Sequence, residues 1–86
     1  MGQFTVTDLV RTMRAAAGED DSIDLDGDIL DLEFDELGYD SLAMMETASA
    51  VEREFGVELP EEDTAELTTP RAFVDFVNVR LAAAAR

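Results

Sequence analysis

The segment 41–55 carries the clearest helical pattern in the chain and most constrains its fold. At 100° per residue, one face of this segment collects Met44, Thr47, Ala48, Val51 and Phe55. Asp40 can cap the start of such a helix through its side chain, and Gly56 can end it in a left-handed conformation. A helix with one apolar stripe has to bury that stripe against other elements. The chain is therefore predicted to pack this helix inside a helical bundle.

Two further long helices are predicted toward the ends of the chain. Thr5 and Asp8 have the spacing of a capping box, and Gly18 follows the apolar positions as a stop signal. Thr69-Pro70 has the pattern of an N-cap followed by a first helical residue, and this helix is expected to run to about residue 84. Its apolar stripe consists of Phe73, Val77 and Leu81.

A short helix over residues 61–67 completes the predicted set, with Leu59 and Leu67 facing inward. The chain shows no strand pattern and no internal repeat. Its 86 residues, 47% of them apolar, suffice for one small domain spanning 1–86. The predicted fold class is all-α: a small four-helix bundle of three main helices and one short helix, with a long structured first loop.

The connection over residues 19–40 is strongly acidic and yet repeatedly apolar. It holds eleven acids from Glu19 to Asp40 and no basic residue. Apolar side chains interrupt it at Ile23, Leu25, Ile29, Leu30, Leu32, Phe34 and Leu37. A loop with so many apolar anchors is expected to pack against the bundle, with a helical turn near Asp31–Leu37.

Composition excludes several classes of function. The chain has no cysteine, which removes disulfides and thiolate metal sites. Its net charge of −15 argues against nucleic acid and favours partners with basic surfaces. The N-terminus lacks the pattern of a signal peptide, and no apolar run approaches the length of a bilayer. The sequence therefore predicts a soluble, cytoplasmic monomer with no membrane association.

The second helix also has an unusual outward face. Leu42 and Met45 fall away from the core stripe, beside Glu46, Ser49 and Arg53. They are either ordinary surface hydrophobes that touch the loop or a docking patch for other proteins, a role that flexible methionines suit. Glu46 and Glu52 are expected to be exposed acids near the Ser41 end of the helix that meet basic partner surfaces.

Ser41 does not have the surroundings of a hydrolytic nucleophile. The nucleophile elbow needs glycine two residues before and two residues after the serine, and this chain has Tyr39 and Ala43 there. The chain also contains no histidine to serve as the base. The serine is better placed to be modified by another enzyme than to attack a substrate.

Calcium binding is an alternative of a different class. Residues 22–33 nearly satisfy the twelve-residue EF-hand loop, with Asp24, Asp26, Gly27 and Glu33 at matching positions. Ser22 replaces the aspartate expected at the first position, and no second loop is present to pair with the first. Only weak binding of divalent ions by the crowded acids is expected, and no specific metal site.

Phosphate is the ligand that the start of a helix accommodates best, because its first N–H groups are unsatisfied and its dipole favours an anion. Residues 37–42 (LGYDSL) resemble the phosphopantetheine attachment motif of acyl carrier proteins. Residues 52–60 resemble the end of the family's second helix with its following loop, and 68–71 the opening of its last helix. The resemblance covers nearly all of residues 5–82.

Within that family, the chain is most similar to the discrete carriers of aromatic (type II) polyketide synthases. Fatty-acid carriers, the alternative within the family, usually have an acidic residue at the position of Ala43 and a bulky aliphatic one at the position of Thr47. The resemblance implies that the protein catalyses no reaction itself. It implies 4'-phosphopantetheine on Ser41, next to Asp40, carrying malonyl and growing acyl groups as thioesters. The implied partners are a phosphopantetheinyl transferase, ketosynthase/chain-length factor, a malonyl transferase, a ketoreductase and cyclases.

A poly-β-ketone cargo would need hydrogen-bond donors if the domain sheltered it. Thr47 lies on the core face of the second helix, while Arg71 and Asn78 share one flank of the last helix. These three residues are predicted to form a polar cargo cleft. The alternative is that all three are surface residues and that the chain stays in solvent or in a partner's tunnel.

Overall fold

Four helices form the regular structure of the computed structural model, which describes residues 3–18 and 27–84. They are α1 (Val6–Ala17), α2 (Ser41–Phe55), α3 (Glu61–Thr64) and α4 (Pro70–Ala84). Within the described ranges no residue belongs to a β-strand. The predicted all-α class and the order of three long helices and one short helix are confirmed.

The capping residues of α1 and α2 stand where the sequence predicts them. The Thr5 hydroxyl accepts a hydrogen bond from the Asp8 N–H at 3.2 Å, and the Asp8 carboxylate accepts one from the Thr5 N–H at 3.1 Å. Gly18 ends α1 with φ +79°, and Gly56 ends α2 in the left-handed region with φ +68° and ψ +35°. Both glycines therefore stop helices in conformations that L side chains rarely adopt.

The core lies where α1, α2 and α4 meet. Phe4 is fully buried, and its ring lies 5.0 Å edge-on from Phe55 and 6.3 Å from Phe73. The predicted stripe of α2 is confirmed, with Thr47, Ala48 and Val51 buried and the other two members half-buried. The buried residues of α1 are Leu9, Val10, Thr12 and Met13.

The described part of the first loop packs against the bundle, as its apolar residues predict. Ile29, Phe34 and Leu37 are buried, whereas Leu32 is exposed. The expected helical turn is a set of tight turns rather than a helix, with the Leu37 N–H 3.0 Å from the Phe34 carbonyl. The anchors Ile23 and Leu25 and the calcium-loop positions Ser22, Asp24 and Asp26 lie outside the described residues.

The third helix is shorter than predicted. It spans Glu61–Thr64 only, although the chain continues in turns as far as Leu67. Pro60 precedes it and provides no side-chain cap, so nothing local prolongs the single turn. By contrast, α4 begins at Pro70 as predicted, and the Thr69 hydroxyl accepts a hydrogen bond from the Ala72 N–H at 3.3 Å.

Candidate functional site

Ser41 is the first residue of α2, and its side chain belongs to the exposed surface. Asp40 fixes this helix start twice. Its carboxylate accepts a hydrogen bond from the Ala43 N–H at 2.8 Å, and its carbonyl accepts one from the Met44 N–H at 3.0 Å. The serine therefore stands on rigid backbone, at the positive end of a helix dipole and open to an approaching reagent.

Tyr39 anchors the segment that precedes Ser41 to the bundle. Its side chain is buried, its hydroxyl donates a hydrogen bond to the Gly18 carbonyl, and its N–H lies 3.0 Å from the Phe34 carbonyl. The preceding Gly38 has φ +82°, a conformation in which a side chain would be strained. The glycine and tyrosine of the 37–42 motif thus tie the start of α2 to the end of α1.

The loop is also fastened to the start of α4. The Phe34 N–H bonds the Thr68 carbonyl at 2.8 Å, and the Arg71 N–H bonds the Leu30 carbonyl at 3.0 Å. The Arg71 guanidinium donates two hydrogen bonds to Asp31, at 2.8 and 3.2 Å. These hydrogen bonds hold the pKa of Asp31 below its usual range. Because both side chains are largely exposed, the pair positions the loop more than it stabilises the fold.

A cavity of about 370 Å³ opens beside Ser41. This volume lies within the range of small-molecule sites. Its walls come from the loop before α2, the first turns of α2, the α3 region and one ring of α4. The lining residues are Glu33, Phe34, Asp35, Tyr39, Asp40, Ser41, Met44, Met45, Glu61, Thr64, Ala65, Leu67, Thr68 and Phe73.

None of the three residues predicted for a polar cargo cleft lines this cavity. The Thr47 side chain is fully buried, and its hydroxyl donates to the Ala43 carbonyl at 2.9 Å. The Asn78 amide accepts from the Phe4 N–H at 2.7 Å and donates to the Phe4 carbonyl at 2.9 Å. Arg71 directs its guanidinium at Asp31. The structure does not place the three around one cleft, because each meets a different internal partner.

All five residues of the predicted outward face of α2 are exposed, Ser49 and Arg53 among them. Leu42 is 62% exposed, Met45 is 45% exposed, and Glu46 is exposed as well. Glu52 differs, because its carboxylate accepts a hydrogen bond from the Leu59 N–H at 2.8 Å and the residue is half-buried. It also lies eleven residues after Ser41, about 16 Å along the helix. Glu52 fastens the loop after α2 and is not a free acid near the serine.

Thr64, Leu67 and Thr68 line the cavity, although the sequence pattern assigns them no role there. A weak signal was present for Thr68, since it opens the 68–71 run that resembles the start of the family's last helix. The Glu33 carboxylate lies on the rim, but the described residues hold no group of three or more acids placed to bind a metal ion. No helix of the described chain has both the length and the apolar character needed to cross a membrane.

Comparison with known proteins gives the family. A family model described as the phosphopantetheine attachment site matches residues 7–77. The granaticin polyketide synthase acyl carrier protein of Streptomyces violaceoruber is 54% identical over 85 residues, which are 99% of this chain and 100% of that protein. The chain belongs to the acyl carrier proteins of polyketide synthases. It is a carrier subunit that works with polyketide synthase enzymes and is not itself a catalyst.

Solved structures agree with this assignment. The 3,7-dioxo-octyl actinorhodin acyl carrier protein of Streptomyces coelicolor has a TM-score of 0.88 at 46% identity, covering 98% of this chain and 99% of that chain. The actinorhodin holo acyl carrier protein of the same organism has a TM-score of 0.81 at 46% identity, with 95% of each chain covered. The carrier fold and the polyketide assignment predicted from the sequence are confirmed.

The prosthetic group of this carrier is phosphopantetheine, and the residues near Ser41 suit it. Its phosphodiester needs an accessible hydroxyl and a setting that tolerates negative charge, and the start of α2 offers both. Its arm needs space to extend, and the 370 Å³ cavity begins beside the same serine. The start of α2 therefore suits the phosphodiester, and the cavity leaves open space next to it.

Proposed function

We propose that Ser41 is the attachment residue and that a phosphopantetheinyl transferase modifies it. In that reaction the Ser41 oxygen forms the new bond to phosphorus, the pyrophosphate bond of coenzyme A breaks, and the nucleoside bisphosphate leaves with its electron pair. When bound, the group supplies a thiol that carries malonyl and growing polyketide chains as thioesters. The observation that carries this proposal is the exposed serine beside the cavity, at the start of a helix that Asp40 caps.

The surroundings of Ser41 support a passive role for its hydroxyl. The chain has no histidine, and the neighbouring Asp40 carboxylate is engaged by the Ala43 N–H. Within residues 3–18 and 27–84 no side chain is hydrogen-bonded to the Ser41 hydroxyl as a base would be, and we infer that the transferase supplies the base. The carrier contributes an accessible hydroxyl at the positive end of a helix dipole.

Intact mass after incubation with coenzyme A and a transferase of broad specificity tests the attachment residue. The wild type should gain one phosphopantetheine, and Ser41→Ala should gain none while keeping its helical circular dichroism. Ser49→Ala is the matched control, because it removes another exposed serine of the same helix and should load fully. A Ser41→Ala protein that still gains the full mass would place the site elsewhere.

We further propose that the partner enzymes bind a docking patch formed by Leu42, Met45 and Glu46. These partners are the transferase, ketosynthase/chain-length factor, malonyl transferase, ketoreductase and cyclases, and the carrier meets them as a monomer in the cytoplasm. Two exposed apolar side chains beside the attachment serine support this proposal, together with the net charge of −15. An acidic surface speeds association with a basic partner, and apolar contact then slows dissociation.

Met45 gives the docking patch a direct connection with the cavity. Its side chain is 45% exposed and also belongs to the cavity wall, whereas Leu42 is exposed but does not line the cavity. A partner that covers Met45 therefore contacts one wall of the cavity beside Ser41.

A further inference from the structure

The hydroxyl groups around the cavity differ in whether they already donate a hydrogen bond within the protein. We propose that the Thr68 hydroxyl donates a hydrogen bond to a carbonyl of a β-keto chain held in the cavity, and so selects oxygenated cargo over saturated cargo. This inference rests on the proposed attachment of the arm to Ser41. It replaces the donors predicted from the sequence, none of which lines the cavity.

Four hydroxyl-bearing residues line the cavity, and three of them are unable to serve as this donor. The Tyr39 hydroxyl donates a hydrogen bond to the Gly18 carbonyl, and the Thr64 hydroxyl donates one to the Glu61 carbonyl at 3.1 Å. The Ser41 oxygen is esterified in the loaded carrier and no longer has a proton. Thr68 is the fourth, and its hydroxyl has no acceptor among the residues that the structure describes.

The backbone of Thr68 is held firmly enough to aim a side chain. Its carbonyl accepts the Phe34 N–H at 2.8 Å, and the next two residues, Thr69 and Pro70, form the capped start of α4. Phe34 and Phe73, whose rings lie 6.1 Å apart, form the neighbouring apolar wall. A donor fixed beside an apolar wall suits a chain that is mostly hydrocarbon with carbonyls at intervals.

The other polar side chains of the cavity do not offer hydrogen-bond donors. Glu33, Asp35, Asp40 and Glu61 all line it, and an ionised carboxylate only accepts hydrogen bonds. A ketone oxygen placed beside them meets like partial charge. Thr68 is an exposed residue of the cavity lining, so its hydroxyl can be reached from solvent. Because a carbonyl removed from water without a donor is costly, this hydroxyl favours a β-keto chain over a saturated one.

The test uses the full chain, loaded on Ser41 with one of two arms of equal length. One arm ends in a β-diketone chain labelled with ¹³C at its carbonyls, and the other ends in a saturated chain labelled at the matching carbons. Thr68→Val removes the hydroxyl at nearly constant volume, and Thr68→Ser keeps it. Thr64→Val is the matched control, because it removes a cavity hydroxyl that is already engaged.

In the wild type, the diketone carbonyl resonances should move downfield relative to the unattached arm, as hydrogen-bonded carbonyls do. Thr68→Val should abolish that shift and lower the sheltered population of the diketone by about two- to tenfold, the range expected for one hydrogen bond. The saturated arm should behave alike in all variants. Thr68→Ser should retain the shift, and Thr64→Val should leave it unchanged.

An unchanged diketone shift in Thr68→Val would overturn the inference. So would an equal loss in Thr64→Val, or an equal loss of the saturated chain, since either result would point to packing and not to a donor. Intact mass is measured first on every sample. Normal loading without an effect of Thr68 refutes this inference alone, whereas a wild type that does not load at Ser41 refutes the proposed function and this inference together.

Discussion

The two sides of α2 differ in the space that they leave beside the helix. On the side that faces α1 and α4, the Thr47 hydroxyl and the Asn78 amide are both hydrogen-bonded within the protein. On the side that faces α3, a cavity of about 370 Å³ remains, and its Thr68 hydroxyl has no hydrogen-bond acceptor among the described residues. We call these the closed side and the open side. The closed side stabilises the bundle, and the open side retains room and hydrogen-bonding capacity for cargo.

The helices on the two sides differ accordingly. The closed side is built from α1 and α4, which have caps at their starts and bury aromatic and aliphatic side chains. The open side is bounded by α3, a single turn with no buried residue and no side-chain cap. An isolated turn is stable only through its contacts. The wall of the cavity that can move at least cost is therefore α3.

The largest effect that separates the two sides is expected from Asn78→Leu. This change leaves the Phe4 N–H and carbonyl without their partner, and groups left unpaired in that way cost roughly 1–3 kcal/mol each. We expect the free energy of unfolding to fall by about 2 kcal/mol, because the site is only partly buried. Urea denaturation of the unmodified protein measures it.

Thr64→Val is the control for that prediction on the open side. It also exchanges a polar side chain for an apolar one, but it removes only an exposed bond to the Glu61 carbonyl. Its unfolding free energy should change by less than about 0.5 kcal/mol. Equal losses of unfolding free energy in the two variants would show that the two sides do not differ in this way. An Asn78→Leu protein that keeps full stability but loses its preference for diketone cargo would show the same.

The sequence predicts these two sides with unequal success for a physical reason. The stripe of Thr47, Ala48 and Val51 follows from a local period of 3.6 residues, so it could be read without any knowledge of tertiary contacts. The partner of Asn78 lies 74 positions away along the chain, and no local pattern encodes that distance. Side-chain properties alone placed Asn78 in the cargo site, where its amide would have been suitable but is not available.

The geometry of the proposed attachment site could be predicted, because its parts are adjacent in sequence. Asp40 caps the helix on which Ser41 stands, and Gly38 allows the turn before it, all within one short motif. The same holds for the exposure of Leu42 and Met45. Glu52 was misassigned because its bond to the Leu59 N–H depends on how the chain reverses after Gly56, and periodicity along a helix says nothing about that reversal.

A smaller effect is expected at the docking patch, which borders the open side. Glu46→Arg reverses an exposed charge there and should slow association with a basic ketosynthase several-fold at low salt, with the loss shrinking as ionic strength rises. Asp75→Arg is the matched control, because it makes the same change of net charge on the exposed surface of α4. Stopped-flow association rates measured across a salt series separate the two variants. Equal slowing by both would mean that total charge, and not the docking patch, steers the encounter.

The smallest effect on stability is expected from two exposed ion pairs, one on the open side and one on the closed side. Arg71 bonds Asp31 across the open side, and Arg11 bonds Glu54 between α1 and α2 at 2.6 and 3.1 Å. In each pair the hydrogen bonds from arginine hold the pKa of the carboxyl below its usual value. Each carboxyl therefore binds its proton more weakly in the folded state. Its stabilising contribution is present above the unfolded pKa of about 4 and is lost as the pH falls through the folded pKa.

Arg71→Met and Arg11→Met should both melt slightly below the wild type at pH 7, and both differences should shrink toward zero as the pH falls below about 4. Thermal unfolding at a series of pH values measures them. The two variants should differ in the loaded carrier, because only the Arg71–Asp31 pair fastens the loop that forms a cavity wall. Arg71→Met should weaken the diketone carbonyl shift at neutral pH, and Arg11→Met should not. If Arg11→Met weakens that shift as much, the closed side also controls the cavity, and the division between the two sides of α2 does not hold.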